Sequence, residues 1–216
     1  MAGVTRGRFI TFEGGEGAGK STQARLLAER LKTAGREVVV TREPGGSPGA
    51  ESIRALLVNG ETDRWSPISE TLLMYAARRD HIERVIAPAL ERGAWVVCDR
   101  FFDSTRAYQG AGGGAPAALI AALEAAVVGA RTPDLTLILD LPVEVGLARA
   151  AGRGEGEARF EAKGAAFHQR LRQAFLDIAR AEPDRCAVLD ADRPIEALAE
   201  AIWAATAARL EEAARG

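Results

Sequence analysis

A glycine-rich octapeptide at residues 14–21, GGEGAGKS, specifies its chemistry more clearly than any other segment of the chain. It matches the phosphate-loop pattern GxxxxGK[ST] and lies between a β-rich run, RFITFE, and a stretch with leucines at helical spacing. In this pattern backbone N–H groups turn inward around phosphate oxygens, and the following helix begins with its positive end there. A nucleoside triphosphate site is therefore predicted, with Lys20 on the outer phosphates and Ser21 as a Mg²⁺ ligand. The residues expected to bind the triphosphate in this segment are Gly14, Gly15, Glu16, Gly17, Ala18, Gly19, Lys20, Ser21 and Thr22.

The phosphate loop alone does not identify the reaction, because switch GTPases, motor-type ATPases and small-molecule kinases all use it. The sequence has neither a DxxG nor an NKxD element, which a GTPase would need, and it is short for an assembly ATPase. A kinase of a small phosphorylated acceptor is favoured. Two alternatives stay open: a protein that holds ATP without turnover, and a deoxynucleoside kinase with a carboxylate base. The candidate bases are Glu13, Glu16, Glu43 and Asp103.

Three further segments accompany the phosphate loop: TREPGG at 41–46, YAAR at 75–78 and DRFFDSTRAYQG at 99–110. Together with the loop, PDLTLILDLP, an RGE segment and LDA near the end, they resemble the thymidylate kinase family over nearly the whole chain. The resemblance implies phosphoryl transfer from ATP to dTMP, giving dTDP and ADP, in the biosynthesis of dTTP. It also implies a homodimer, with Mg²⁺ as the cofactor.

Arginines and an aspartate supply the charges that such a reaction needs. Asp99 ends an apolar strand, as a Walker-B-like acid does, and we expect it to hold Mg²⁺ together with Ser21. Arg78 and Arg100 resemble the family residues that hold the acceptor phosphate, and a guanidinium fork binds phosphate through two hydrogen bonds. Lys20, Asp99, Arg100 and Arg153 form the expected catalytic set.

The remaining acceptor-site residues are implied by the resemblance. Glu16 matches the family's acidic residue that contacts the 3′-hydroxyl of the acceptor. Tyr108 resembles the aromatic residue that disfavours an acceptor with a ribose 2′-hydroxyl. Met74 stands where many family members have a phenylalanine stacked on thymine. Arg42, Glu43 and Pro44 resemble the loop that borders the acceptor, and Thr105 and Gln109 lie near the base edge. Pro44 has an alternative interpretation as a turn former and Tyr108 as a packing residue.

An arginine-rich segment around GRGEG, at residues 147–163, is expected to close over the bound nucleotides as a lid. It contains Arg149, Arg153 and Arg159. Since the phosphate-loop position that carries a basic residue in one family design is Gly17 here, the chain resembles the design with the arginine in the lid. Arg153 is expected to stabilise the charge that spreads over the transferred phosphoryl group, and Arg149 to contact ATP.

Alternating strands and helices must position these residues. Five apolar runs, at 8–13, 37–41, 94–98, 135–139 and 186–189, predict a parallel sheet with helices on both faces. The expected fold is α/β, a three-layer α/β/α P-loop kinase, with residues 1–216 as one domain and an acceptor-binding segment at about 42–80. Phe101–Gly114 is expected to be irregular because of its glycines. In such folds ligands bind at the carboxyl ends of the strands, where every motif above falls.

Charge and composition exclude several other classes. The 28 Lys and Arg residues against 30 Asp and Glu residues give a net charge of −2, which argues against nucleic acid or anionic membranes as partners. The most apolar window is too short to span a membrane, and no signal peptide is evident, so we expect a cytoplasmic protein. The two cysteines, Cys98 and Cys186, belong to no metal motif and are expected to be reduced.

Overall fold

Five parallel strands form a sheet in the order β2-β3-β1-β4-β5 in the computed structural model, which describes residues 6–61, 63–151 and 163–211. The strands are β1 (Phe9–Glu13), β2 (Val38–Arg42), β3 (Trp95–Asp99), β4 (Leu135–Asp140) and β5 (Cys186–Asp190). All five predicted strands are present, and each neighbouring pair is parallel. The prediction of a five-stranded parallel α/β fold is confirmed.

Helices connect successive strands. They are α1 (Lys20–Thr33), α2 (Pro48–Val58), α3 (Pro67–His81), α4 (Ala87–Glu91), α5 (Phe102–Thr105), α6 (Ala117–Val127), α7 (Val143–Ala151), α8 (Ala165–Ala181) and α9 (Ile195–Thr206). Three π-helical segments continue helices without a break: Ile82–Ile86 joins α3 to α4, Arg106–Gly112 follows α5, and Ala207–Glu211 follows α9.

The three central strands, β1, β3 and β4, are buried on both faces, which explains why they read as continuous apolar runs. On one face Ile10 and Phe12 pack with Leu27 and Leu31 of α1 and with Ile202 of α9. On the other face the sheet packs against α3, α4 and α6 and against the Arg106–Gly112 segment with α8. This arrangement gives the three layers expected from the sequence.

The prediction that Phe101–Gly114 is irregular was wrong. Residues 102–112 are helical, first as α5 and then as a π-helix. Glycine lowers helix propensity, but here Ala107, Tyr108 and Gln109 are buried, and Tyr108 packs in one cluster with side chains of α8. Tertiary packing therefore overrides the local preference and fixes the side chains that project from this segment.

The strand register brings the sequence motifs to one edge of the sheet. Phe12 of β1 pairs with Asp99 of β3, and Arg42 of β2 pairs with Asp99 from the other side. Glu13 pairs with Ile138 of β4. The segments that follow β1, β2, β3 and β4 therefore converge at the carboxyl edge.

Both cysteines are free and buried, as the sequence predicted. Within the described ranges no helix is both long and apolar enough to cross a membrane.

Candidate active site

The phosphate loop connects β1 to α1, and two of its glycines combine a positive φ with no room for a Cβ atom. Gly14 has φ of +130° and Gly17 has φ of +70°. A Cβ atom at Gly14 would lie 2.4 Å from the Leu139 carbonyl oxygen, and one at Gly17 would lie 2.1 Å from the Gly146 carbonyl oxygen. The glycines therefore serve both the left-handed turns and the close approach of neighbouring backbone.

Lys20 begins α1 and is buried, with its Nζ donating to the Gly15 carbonyl oxygen at 2.7 Å. Burial lowers the pKa of Lys20, and the nearby positive charge of Arg100 lowers it further, while Glu16 and Asp99 oppose the shift. The ammonium group thus lies inside the loop, next to the backbone groups that the sequence assigned to phosphate binding.

Ser21 and Asp99 are brought together across the carboxyl edge, where the Ser21 hydroxyl donates to Oδ2 of Asp99. The other carboxylate oxygen of Asp99, Oδ1, is buried and has no hydrogen-bond partner among the described residues. A hydroxyl and a carboxylate are oxygen ligands of the kind that Mg²⁺ takes, in sites where water and substrate phosphates supply the rest. The pair therefore fits the predicted metal site.

A cleft lies beside the phosphate loop. All the predicted acceptor residues except Glu16 and Arg42 line it. The lining residues are Glu43, Pro44, Met74, Arg78, Arg100, Phe101, Ser104, Thr105, Tyr108 and Gln109. They come from the loop after β2, from α3, and from the helical segment after β3, which explains why residues distant in sequence meet here.

Arg78 projects from α3 into this cleft and is almost completely buried. Its Nε donates to Oε2 of Glu43 at 2.7 Å, and its Nη2 donates to the Phe101 carbonyl oxygen and to the Thr105 hydroxyl, each at 3.1 Å. Its Nη1 is buried and has no hydrogen-bond partner among the described residues. A buried unpaired donor on a cation is costly, so this nitrogen is suited to an anionic ligand.

Arg100 follows β3 directly, with φ of +70°, a conformation that is uncommon for any residue other than glycine. Its Nη1 donates to the Gly14 carbonyl oxygen at 3.1 Å, and its guanidinium carbon lies 4.9 Å from the centre of the Tyr108 ring. Arg100 therefore contacts the phosphate loop and the acceptor cleft at the same time. The left-handed backbone directs the side chain between them.

Glu16 lies next to the cleft and is held by two of the residues that line it, Arg100 and Tyr108. Its Oε1 accepts from Nη2 of Arg100 at 3.1 Å and from the Tyr108 hydroxyl at 2.7 Å. Burial would raise its pKa, but Arg100, Lys20 and the Tyr108 hydrogen bond lower it to about 2. Glu16 is consequently a fixed negative charge across the neutral pH range.

Arg42 does not line the cleft: its exposed side chain donates to Glu51 at 3.0 Å. Arg149, on α7, donates to the Ala191 carbonyl oxygen at 3.1 Å and to Asp192 at 2.9 Å, in the loop after β5. Arg149 is thus at the carboxyl edge but away from the acceptor cleft. Arg153 and Arg159 lie outside the described residues.

Glu13 and Asp103, which the sequence marked only as candidate bases, instead support the site through buried contacts. Glu13, fully buried, accepts from the backbone N–H of Phe101 at 2.7 Å and from the Ser104 hydroxyl at 2.5 Å. Burial and the charge of Asp103 raise the pKa of Glu13 to about 8. Its position as the last residue of β1, directly before the phosphate loop, is the signal in the sequence that could have indicated this supporting role.

Asp103 is buried beside Arg185, which donates to it at 2.6 Å and 3.0 Å. Arg185 is the residue just before β5, and no local sequence pattern connects it with Asp103. This ion pair connects α5 to the start of β5. It thereby helps to fix the helix that carries Ser104 and Thr105.

Comparison with known proteins extends these observations to nearly the whole chain. The model of a family described as thymidylate kinase matches residues 12–202. Thymidylate kinase of Caulobacter vibrioides is 70% identical over 207 residues, covering 96% of this chain and 99% of that protein. Thymidylate kinase of Nitrobacter hamburgensis is 56% identical over 210 residues, covering 96% of this chain and 91% of that protein. The crystal structure of thymidylate kinase from Ehrlichia chaffeensis matches with a TM-score of 0.75 at 37% identity, covering 93% of this chain and 98% of that one. The matched range includes every residue that lines the cleft.

Proposed function

Since the chain belongs to the thymidylate kinase family, we propose that it transfers the terminal phosphoryl group of ATP to dTMP, giving dTDP and ADP for the supply of dTTP. The observation that carries this proposal is the position of Arg100. Its guanidinium bonds the phosphate loop at Gly14 and lies over Tyr108 in the acceptor cleft. One cation thus lies where a donor phosphate and an acceptor phosphate would meet.

Arg78 and Arg100 are the residues that we propose for the acceptor phosphate. Both guanidinium groups line the same cleft, and Nη1 of Arg78 has no hydrogen-bond partner among the described residues. Glu43 accepts a hydrogen bond from Nε of Arg78 and so holds the side chain in place, while Nη1 remains available for the phosphate. Positioning of this kind removes much of the entropy cost of bringing two charged substrates together.

A general base is not required for this reaction, since a phosphate monoester has a second pKa of about 6 and its attacking oxygen is already ionised at neutral pH. Each of the four acidic side chains that could serve a hydroxyl acceptor is already bonded to another side chain. Glu13 is bonded to Ser104, Glu16 to Arg100, Glu43 to Arg78 and Asp103 to Arg185. The low pKa of Glu16 also makes that carboxylate a weak base. These contacts favour a phosphate acceptor over a deoxynucleoside.

On the donor side we propose that the phosphate-loop backbone and Lys20 bind the β- and γ-phosphates. Ser21 and Asp99 would hold Mg²⁺, which when bound neutralises charge on those phosphates. The buried Oδ1 of Asp99, unpartnered among the described residues, supports this assignment. Arg153 is proposed to complete the charge neutralisation from a lid at 147–163, of which residues 152–162 are not described, and Arg149 to contact ATP.

We further propose that residues 1–216 act as one kinase domain, with residues 42–80 as the acceptor-binding segment, in a cytoplasmic homodimer. The neighbouring helices α2 and α3 carry exposed apolar side chains, Leu56, Ile68 and Leu72, of the kind that an interface between copies would cover. Sedimentation or light scattering would give the oligomeric state.

A panel of acceptors tests the proposed function: dTMP, dUMP, dCMP, AMP, UMP and thymidine, each with ATP and Mg²⁺ in a coupled ADP-release assay. The largest kcat/KM is expected for dTMP. A larger value for thymidine would support a deoxynucleoside kinase. If dTMP stimulated no ADP release, the chain would instead be a protein that holds ATP without turnover.

A further inference from the structure

A buried hydrogen bond joins two residues that lie on different elements of the acceptor site. Nε2 of Gln109 donates to Oε1 of Glu70 at 2.9 Å. Gln109 belongs to the π-helical segment after α5 and is 1% exposed, and Glu70 lies in the first turns of α3 and is 6% exposed. Glu70 itself does not line the cleft, whereas Gln109 does. A carboxylate is therefore buried directly behind a cleft residue.

The carboxylate determines which way the amide of Gln109 points. A glutamine amide has a donor end, NH₂, and an acceptor end, C=O, of nearly the same shape. A carboxylate only accepts hydrogen bonds, so it holds the NH₂ end and excludes the flipped orientation. With the nitrogen directed toward Glu70, the carbonyl oxygen is the end of the amide that remains for the cleft.

The orientation matters because pyrimidines differ in hydrogen-bonding pattern. The Watson–Crick edge of thymine or uracil has one donor, N3–H, between two carbonyl oxygens, whereas cytosine has an unprotonated N3 beside an amino group. A carbonyl oxygen facing N3 accepts from thymine and opposes the lone pair of cytosine. A site built to pair one polar group rejects the analogue that cannot pair it.

We propose that Glu70 is a specificity-determining positioning residue, which fixes the Gln109 amide so that its carbonyl oxygen accepts from N3–H of the acceptor base. This proposal rests on the proposed function, since it takes a thymine nucleotide as the acceptor. Met74 follows Glu70 by one helical turn on α3 and lines the cleft, so the same helix supplies the apolar contact beside this polar one.

The test is the isosteric change Glu70→Gln. A glutamine at position 70 both donates and accepts, so Gln109 becomes free to adopt either orientation. We expect the ratio of kcat/KM for dTMP to that for dCMP to fall at least about tenfold, the scale of one neutral hydrogen bond. Activity with dUMP, which has the same edge as dTMP, should fall in parallel with dTMP. An equal loss for dTMP and dCMP would mean a merely structural role and would overturn the proposal.

Reversing the pair provides a rescue. In the double variant Glu70→Gln/Gln109→Glu, the carboxylate at position 109 accepts from the new amide and still offers an oxygen to N3–H. The ratio should return toward that of the wild type, and failure to recover it would count against the proposal. Glu83→Gln makes the same chemical change on the surface, where Glu83 pairs with Arg79, and should leave the ratio unchanged.

Binding measurements keep the proposal separate from the proposed function. Calorimetric titration with dTMP and with dCMP gives the same ratio without turnover. A wild type that binds dTMP and releases no ADP would contradict the proposed function, while its binding ratio would still test Glu70. Glu70→Asp keeps an acceptor-only group, so it should retain the ratio within about twofold even where it lowers affinity or yield; a ratio as low as that of Glu70→Gln would overturn the proposal.

Discussion

Arg100 and Glu16 form a largely buried ion pair in which Nη2 of the arginine lies 3.1 Å from Oε1 of the glutamate. A carboxylate inside a phosphate loop would by itself repel the ligand. Here Arg100 and the Tyr108 hydroxyl neutralise and orient it, and its pKa is lowered to about 2 against the effect of burial. These contacts with two cleft residues favour a role for Glu16 on the acceptor side of the site.

The first prediction concerns the acceptor 3′-hydroxyl. Glu16→Gln removes a charged acceptor, so kcat/KM for dTMP should fall at least about tenfold, as expected for loss of a hydrogen bond to a charged group. The same variant should show little change with 2′,3′-dideoxythymidine monophosphate, which lacks the hydroxyl. Steady-state kinetics of wild type and variant with both acceptors form a thermodynamic cycle, which isolates the contact between Glu16 and the 3′-hydroxyl. Equal losses for the two acceptors would contradict it.

The second prediction concerns the acceptor phosphate. Arg78→Lys keeps the charge but removes the planar fork that bonds Glu43, Phe101 and Thr105. We expect kcat/KM for dTMP to fall by about thirty- to a hundredfold, mainly through KM, because charged hydrogen bonds contribute about 2–3 kcal/mol. The KM for ATP should hardly change.

Arg79→Lys is the matched control for this variant. Arg79 is the next residue on α3 and pairs with Glu83 on the surface. A surface pair of this kind contributes about 0–1 kcal/mol, so the control should retain wild-type kinetics. If both variants lost the same activity, the effect would belong to the helix and not to the cleft.

The third prediction is a pH dependence of stability that arises from Glu13. Burial and the charge of Asp103 raise the pKa of Glu13 from 4.5 to about 8 in the folded protein. Between these values the folded state holds a proton that the unfolded state has released. Glu13 therefore contributes a loss of unfolding free energy as pH rises from about 5 to 8, at up to about 1.4 kcal/mol per pH unit.

Glu13→Gln mimics the protonated carboxyl group and removes this titration. Urea denaturation at pH 5.5 and pH 8 should show a larger fall in unfolding free energy for the wild type than for the variant. A parallel pH dependence in the two proteins would contradict the raised pKa. Activity near neutral pH should survive, because Glu13 bonds Phe101 and Ser104 and does not line the cleft.

Much of this site was predictable because its residues occur in local motifs at strand ends. The strand register then explains how Asp99 meets Ser21 and how Arg100 meets Gly14. The contacts that lie behind the cleft residues and hold them in place were not predictable in the same way. Glu70 meets Gln109 across 39 positions, and no single-sequence pattern specifies that pairing.

The helical segment after β3 shows why the low helix propensity of glycine led to a wrong prediction there. Its glycines indicate a loop, but a helix there buries Tyr108 against Phe167 and Phe175 of α8, at ring separations of 6.2 Å and 6.4 Å. The partners come from a helix more than fifty residues later. The stabilising contacts are therefore tertiary and lie outside any local window.

The fourth prediction concerns the lid arginine. Arg153→Ala is expected to lower kcat more than a hundredfold with a modest change in KM, since an arginine on the transferred phosphoryl group contributes about 10³–10⁵ in rate where it has been measured. Arg180→Ala, which removes a surface arginine paired with Asp177, is the control. Near-normal turnover of Arg153→Ala would assign the role to Arg149 or Arg159 instead.

The fifth prediction concerns Met74, which lines the acceptor cleft and stands where the family resemblance implies a phenylalanine stacked on thymine. A thioether packs on a flat ring with about 0.3–1.5 kcal/mol, and an aromatic ring stacks with a better-defined geometry. Met74→Phe should therefore keep or raise the preference for dTMP over dCMP, measured as the ratio of kcat/KM values. A tenfold drop in that ratio would contradict a stacking role for residue 74.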